Sequence, residues 1–305
     1  MQETIESIKK TLNQIVLGKE QQVELAIVCL LAKGHLLIED LPGMGKTTLA
    51  HAMARVFGLE FQRVQFTSDI LPADIIGSAI YDRQQQIFNF HAGPIFSQVI
   101  LADEINRATP KSQSALLEAM EEQQVTVEGE TRSLPHPFFV IATQNPSHQV
   151  GTYPLPESQL DRFLVRLSLG YPHPEVEKEL LLSGAKRSNA KEAAAVIDPE
   201  QLIAMQAEVE AVTVSENLAD YILQLLLATR QSPELIHGLS PRAGLALNQA
   251  AKAIAWLNQR EFVIPEDVQQ VFSAVVGHRL QPTAQSNLTG QEVAEALLQS
   301  TAVPL

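Results

Sequence analysis

The amino-acid sequence predicts an α/β chain, with an αβα core built on a parallel sheet and a smaller all-α domain behind it. Three observations predict this. Apolar runs at 61–66, 99–102, 138–143 and 164–169 are separated by stretches of helical periodicity, and strands joined through helices lie parallel. A further short run opens the stretch HLLIEDLPGMGKTTLA, residues 35–50, where a strand meets a glycine-bearing turn and then a helix-forming segment. After Gly170 the strand signals stop and only helix starts remain.

In chain order, Ile5, Ile8, Leu12 and Ile15 recur at helical spacing, and Gly18 stops the pattern. A second helix runs through Val23, Ile27, Leu30 and Leu31 and closes at Lys33-Gly34. The runs 99–102 and 138–142 are continuously apolar, as central strands covered on both faces must be, whereas 164–169 alternates and belongs nearer an edge. Two excursions interrupt the alternation. Residues 68–93, punctuated by Gly77 and Gly93, are too long and too patterned for a plain connection. In residues 124–137, Val125 and Val127 alternate ahead of Glu128-Gly129, a hairpin turn signal. Both read as insertions on the core, and composition alone leaves open whether they are surface decoration. The first domain is therefore placed at 1–170.

Tyr171-Pro172-His173-Pro174 reads as a linker. Helix starts follow at Asp198-Pro199 with Gln201, at Ser215, at Ser240-Pro241 and at Pro265-Glu266-Asp267, and they place a helical domain over 171–280. The tail 281–305 is polar, with Val293, Leu297 and Leu298 spaced for one last short helix.

The turn in 35–50 has the chemistry of a phosphate-binding loop. Pro42, Gly43, Met44 and Gly45 let backbone N–H groups converge, and Lys46 offers a mobile cation for β- and γ-phosphates. Thr47 can ligate magnesium, and Thr48 lies in the same first helical turn, whose unpaired N–H groups face the phosphates. The strict pattern asks for glycine at position 40, where this chain has Asp40.

The run 99–102 ends in Asp103-Glu104, two acids at the rim of a sheet. One can hold magnesium through water while the next polarises an attacking water. Alone the pair is equally an ordinary acidic strand end; one strand beyond a phosphate loop it points to nucleotide hydrolysis. Asn145, after the next strand, can position the γ-phosphate or the water, or simply start an Asn-Pro turn.

This combination resembles the AAA+ ATPases, and within them the MoxR family. The resemblance is carried by HLLIEDLPGMGKTTLA, QFTSDILPADIIG, FHAGPIF, ILADEINRATPKSQSALLEAMEEQQVTVEG, VIATQNP, YPLPESQLDRFLVR, GLSPRAGLALNQAAKA and VIPEDVQQV, in that order over about residues 14–280. It implies a P-loop NTPase αβα core followed by a helical lid, and Asp40 looks like MoxR usage. Lys46 and Thr47 then resemble the Walker A pair, Asp103 and Glu104 the Walker B pair, and Asn145 sensor 1. Arg162 resembles the arginine finger that reaches a neighbouring subunit's nucleotide, and Arg242 the sensor 2 arginine that links the lid to the phosphates. Residues 68–93 resemble the helix-2 insert and 124–137 the pre-sensor 1 hairpin. The family implies ATP and Mg2+, a hexameric ring and chaperone-like remodelling of a client, often a von Willebrand factor A domain protein. From the residues alone a surface salt bridge is the favoured reading of each arginine. The same core also serves nucleic-acid motors, magnesium-chelatase-type subunits and ATP-gated scaffolds without turnover.

Composition narrows these readings. A net charge of −13 over 305 residues argues against a protein that first grips nucleic acid, and Lys9-Lys10 and Lys186-Arg187 are too short to form a basic groove. The eight histidines show no metal spacing, and Asp161-Arg162 is no nucleophilic triad. The single cysteine, Cys29, sits in an apolar run as a core residue of a reducing compartment. No apolar run reaches the ~20 residues that span a bilayer, and a soluble cytoplasmic protein is expected.

Overall fold

The computed structural model describes residues 2–145, 151–183 and 193–303. The basic step Lys186-Arg187 lies outside them. Helices α1 (Gln2–Ile15) and α2 (Glu20–Leu31) precede β1 (Leu36–Glu39), the loop, α3 (Lys46–Val56) and β2 (Phe61–Gln65). Then come α4 (Pro72–Ile76), the hairpin β3 (Gly77–Asp82) and β4 (Ile87–Ala92), β5 (Val99–Asp103) and α5 (Pro110–Glu122). A second hairpin, β6 (Gln124–Val127) and β7 (Glu130–Ser133), leads to β8 (Phe139–Gln144), α6 (Glu157–Leu160) and β9 (Val165–Leu167).

The five strands β2, β5, β8, β1 and β9 pair in that order, each pair parallel. Successive residues feed opposite layers. Leu36, Ile38, Val99, Leu101, Phe139 and Ile141 join the core shared with α1, α2 and α3, while Leu37, Ile100, Ala102, Val140 and Ala142 face the layer of α5. Strand β9 is the edge, as its alternation requires. The register pairs Gln65 with Asp103, Ala102 with Ala142 and Glu39 with Gln144, so the strand tips reach one level at the carboxyl end of the sheet. Ligands bind at that end in open α/β sheets.

Both excursions are hairpins with different roots. In β6–β7 the turn residues Glu128 and Gly129 take φ of 52° and 82°, the two left-handed positions of a tight hairpin turn. In β3–β4 the root is a backbone crossing. A Cβ on Gly77 would lie 2.3 Å from the His91 carbonyl oxygen, and one on Gly93 2.3 Å from that of Ile75, so only glycine fits. The guanidinium of Arg132 on β7 lies 4.1 Å from the ring centre of Phe90 on β4 and ties the two hairpins together.

Beyond the sheet lie α7 (Pro174–Ser183), α8 (Pro199–Ala211), α9 (Glu216–Gln231), α10 (Pro241–Leu257), α11 (Pro265–Val276) and α12 (Gly290–Ser300). Their starts obey local capping chemistry. Asp198 caps the Gln201 N–H at 2.8 Å, Ser215 that of Leu218 at 3.3 Å and Ser240 that of Ala243 at 3.2 Å. The helix in the tail, α12, packs on α11 and α9 and buries Val293 and Ala294, so the helical unit runs on beyond residue 280. Helices α8 and α10 press on α2, and α11 on β9. Sandwiched between sheet and lid, α2 is therefore apolar on nearly every side.

Candidate active site

Lys46 opens α3 immediately after Gly45, whose φ of 91° is open to glycine at no steric cost; Gly43 has φ of 86°. A Cβ at either glycine would meet nothing within 4 Å, so the turn borders open space. The ammonium of Lys46 donates to the Asp40 carbonyl at 2.7 Å and lies 3.4 Å from the Asn145 amide oxygen. Burial lowers its pKa from the usual lysine value, opposed by the charges of Asp40, Asp103 and Glu104.

The acid pair ends β5. Asp103 accepts from the Thr143 hydroxyl at 2.6 Å and from Arg63 Nη2 at 2.6 Å. Glu104 turns away from the strand with φ of 57°, a left-handed conformation rare for a side chain of this length, and its N–H donates to the Thr143 hydroxyl at 2.9 Å. One carboxylate oxygen accepts from the Asn145 amide at 3.0 Å; the other takes Gln65 Nε2 at 3.1 Å and Arg107 Nε at 3.0 Å. Lys46, Asp103, Glu104 and Asn145 thus form one cluster across the tips of three adjacent strands. Thr47 and Thr48 continue the first turn of α3, and Pro42 and Met44 complete the loop.

Asp40 has a role of its own. Its buried carboxylate accepts from the Ser168 hydroxyl at 2.9 Å and from the N–H groups of Leu169 and Gly170, fastening the end of β1 to the segment after β9.

Arg162 and Arg242 lie elsewhere. Arg162 pairs with one oxygen of Glu121 at 2.8 Å and Arg242 with the other at 3.0 Å. They border a cleft of about 300 Å³ together with Gly34, His35, Asp161, Leu164 and Arg279. Gly34 and His35 precede β1, and Leu164 precedes β9, so this cleft sits at the amino end of the sheet. Lys46 follows the other end, a strand length of roughly 13 Å and a loop away at ~3.3 Å per residue. The structure brings the two arginines to each other and not to the phosphate loop of their own chain. The expected link from Arg242 to the phosphates is therefore not made within one chain, because α10 starts beside the amino edge.

Residues 35–165 match the family described as ATPase family associated with various cellular activities (AAA), and residues 227–299 match the AAA lid domain. The uncharacterized protein YeaC of Bacillus subtilis is 43% identical over 96% of this chain and 93% of its own. Chaperone MoxR1 of Mycobacterium tuberculosis is 40% identical over 99% of this chain and 82% of its own. The chain belongs to the MoxR family of AAA+ ATPases. A crystal structure from Cytophaga hutchinsonii, provisionally described as an ATPase, superposes with a TM-score of 0.91 at 35% identity, covering 100% of this chain and 96% of that one.

For a MoxR-family chain the donor set suits Mg2+. The Thr47 hydroxyl and Asp103 carboxylate are hard oxygen donors, and no cluster of three or more His, Cys, Asp or Glu that could cage a metal occurs among the described residues. Magnesium takes few protein ligands and completes its shell with phosphate oxygens and water. Sequence reasoning missed Arg63, Gln65, Arg107, Thr143 and Glu121. Gln65 faces Asp103 in the register of β2 and β5, yet a glutamine in a strand gives no signal of its own. The Thr143 signal was present in the run before Asn145; Glu121, 41 residues from Arg162, offered none.

Proposed function

We propose that this MoxR-family chain hydrolyses ATP to ADP and phosphate, with Mg2+, at interfaces between copies of itself, and uses the cycle to remodel a partner protein. The observation that carries the reading is the split between the two ends of the sheet. A phosphate loop and a carboxylate held by Asn145 lie at one end, and two arginines sharing Glu121 at the other. In a head-to-tail ring the amino end of one copy meets the carboxyl end of the next.

Lys46 and the loop N–H groups hold the β- and γ-phosphates, and Asn145 positions the attacking water. Water attacks the γ-phosphorus while the bond to the bridging oxygen breaks, and its proton passes to the Glu104 carboxylate. Bound Mg2+, held by Thr47 and Asp103, would offset phosphate charge. Arg162 from the neighbouring copy supplies a planar cation to the charge that builds on the transferred group, with Arg242 beside it, worth about 10³–10⁵ in rate for a finger delivered this way. A hexameric ring, a cytoplasmic setting and a client with a von Willebrand factor A domain complete the reading. It is supported by the similarity to a relative named a chaperone.

Glu104→Gln tests the base. The variant should bind a fluorescent ATP analogue as the native chain does and lose phosphate release by about 10²-fold or more. Near-native release would remove Glu104 from the role.

A further inference from the structure

Arg279, just past the end of α11, is 6% exposed at its side chain. Its Nε donates to the Asp161 carboxylate at 2.7 Å, and its Nη2 to the carbonyls of Phe163 at 2.8 Å and Asp161 at 3.2 Å. Nη1 reaches the Leu164 carbonyl at 3.3 Å and the Val275 carbonyl in the last turn of α11. The neighbouring His278 donates from Nε2 to the Phe163 carbonyl at 2.9 Å. One planar fork therefore grips residues 161, 163 and 164, on both sides of Arg162, and caps the carboxyl end of a lid helix with the same charge. Asp161 is shared further: its other oxygen lies 3.8 Å from Arg242 Nε.

We infer that Arg279 is a positioning residue for hydrolysis in trans: it fixes the backbone that presents Arg162, orients Arg242 through Asp161, and makes the lid and both arginines one body. The inference rests on the reading that these arginines serve the neighbouring copy's nucleotide. An ordinary buried ion pair would stabilise the fold without caring which subunit's site is affected. A positioning residue impairs only the subunit that gives its arginines, and leaves that subunit able to receive them.

The test uses the full chain. Arg279→Lys keeps a cation opposite Asp161 but not the fork, and Asp161→Asn, which keeps an acceptor and removes the charge, is the second variant should the first not fold. Each should bind a fluorescent ATP analogue with native affinity while kcat falls about 10- to 100-fold, the scale of a small misplacement of a catalytic group. Each is then mixed with Lys46→Ala subunits, whose own pocket is disabled but whose Arg162 and Arg279 are intact. In random mixed rings about one interface in four pairs a sound pocket with sound arginines, and turnover should rise several-fold above either variant alone. Turnover within about twofold of native in the single variants overturns the inference. So does a mixture that stays inactive while an Arg162→Ala plus Lys46→Ala control recovers. If that control also fails, the trans reading itself is wrong and the inference falls with it.

Discussion

His35 and His278 are histidines that the fold keeps uncharged. Burial lowers the His35 pKa to about 4, and its Nδ1 accepts the Val140 N–H at 3.1 Å, a role open only to the neutral ring. His278 is held well below the usual histidine value by burial and by the adjacent Arg279. An unfolded chain binds these protons near pH 6.5, the folded chain only far lower, so between those values the unfolded state carries more protons. Stability from both groups is complete above about pH 6.5 and declines as pH falls below it, for His35 down to about 4, by up to about 1.4 kcal/mol per pH unit for each. The expected outcome is a melting temperature that drops between pH 7.5 and 5. The His35→Gln, His278→Gln double variant should start lower at pH 7.5 and show a shallower slope. An unchanged slope would assign the acid sensitivity to other groups.

At the scale of elements, Asp40 decides how the phosphate loop is anchored. Its carboxylate satisfies the N–H groups of Leu169 and Gly170 and the Ser168 hydroxyl, joining β1 to the chain beyond β9. Asp40→Gly restores the generic loop pattern, yet it should lower stability by about 1–3 kcal/mol, because it strands buried donors. A urea titration with an unchanged m-value reads that loss, and a midpoint as high as the native chain's would contradict it. Asp40 also shows where sequence reading stops. The sheet strands, the capped helices and the β6–β7 hairpin were legible because each is written in a local pattern: a short apolar run, Ser-Pro at a helix start, Glu-Gly at a turn. Lys46, Asp103, Glu104 and Asn145 could be named because each sits at, or one residue past, an end of such an element. The partners of the Asp40 carboxylate lie 128–130 residues away, and those of Arg162 and Arg242 follow from which end of the sheet α5 and α10 meet. No periodicity records either.

At the scale of the molecule, the proposed reading gives a single copy half of each of two sites. Its arginines are engaged with Glu121 through pairs of 2.8 and 3.0 Å, and on that reading a neighbour's phosphate must displace this carboxylate. Hydrolysis per subunit should therefore fall on dilution below the assembly concentration. The competing pairs are partly exposed, with side chains 24%, 52% and 34% accessible for Arg162, Arg242 and Glu121, and exposed pairs are worth up to about 1 kcal/mol. Glu121→Gln keeps the shape and removes the charge, so it should move the protein concentration of half-maximal turnover downward by up to about fivefold. Arg162→Ala should instead depress turnover at every concentration. Phosphate release measured across a dilution series separates the cases: turnover per subunit that does not change with concentration, in the native chain and in Glu121→Gln alike, would mean that one copy completes its own site. That outcome would require α10 and the residue 161–164 segment to leave the amino edge of the sheet, against the grip of Arg279 on Asp161, Phe163 and Leu164.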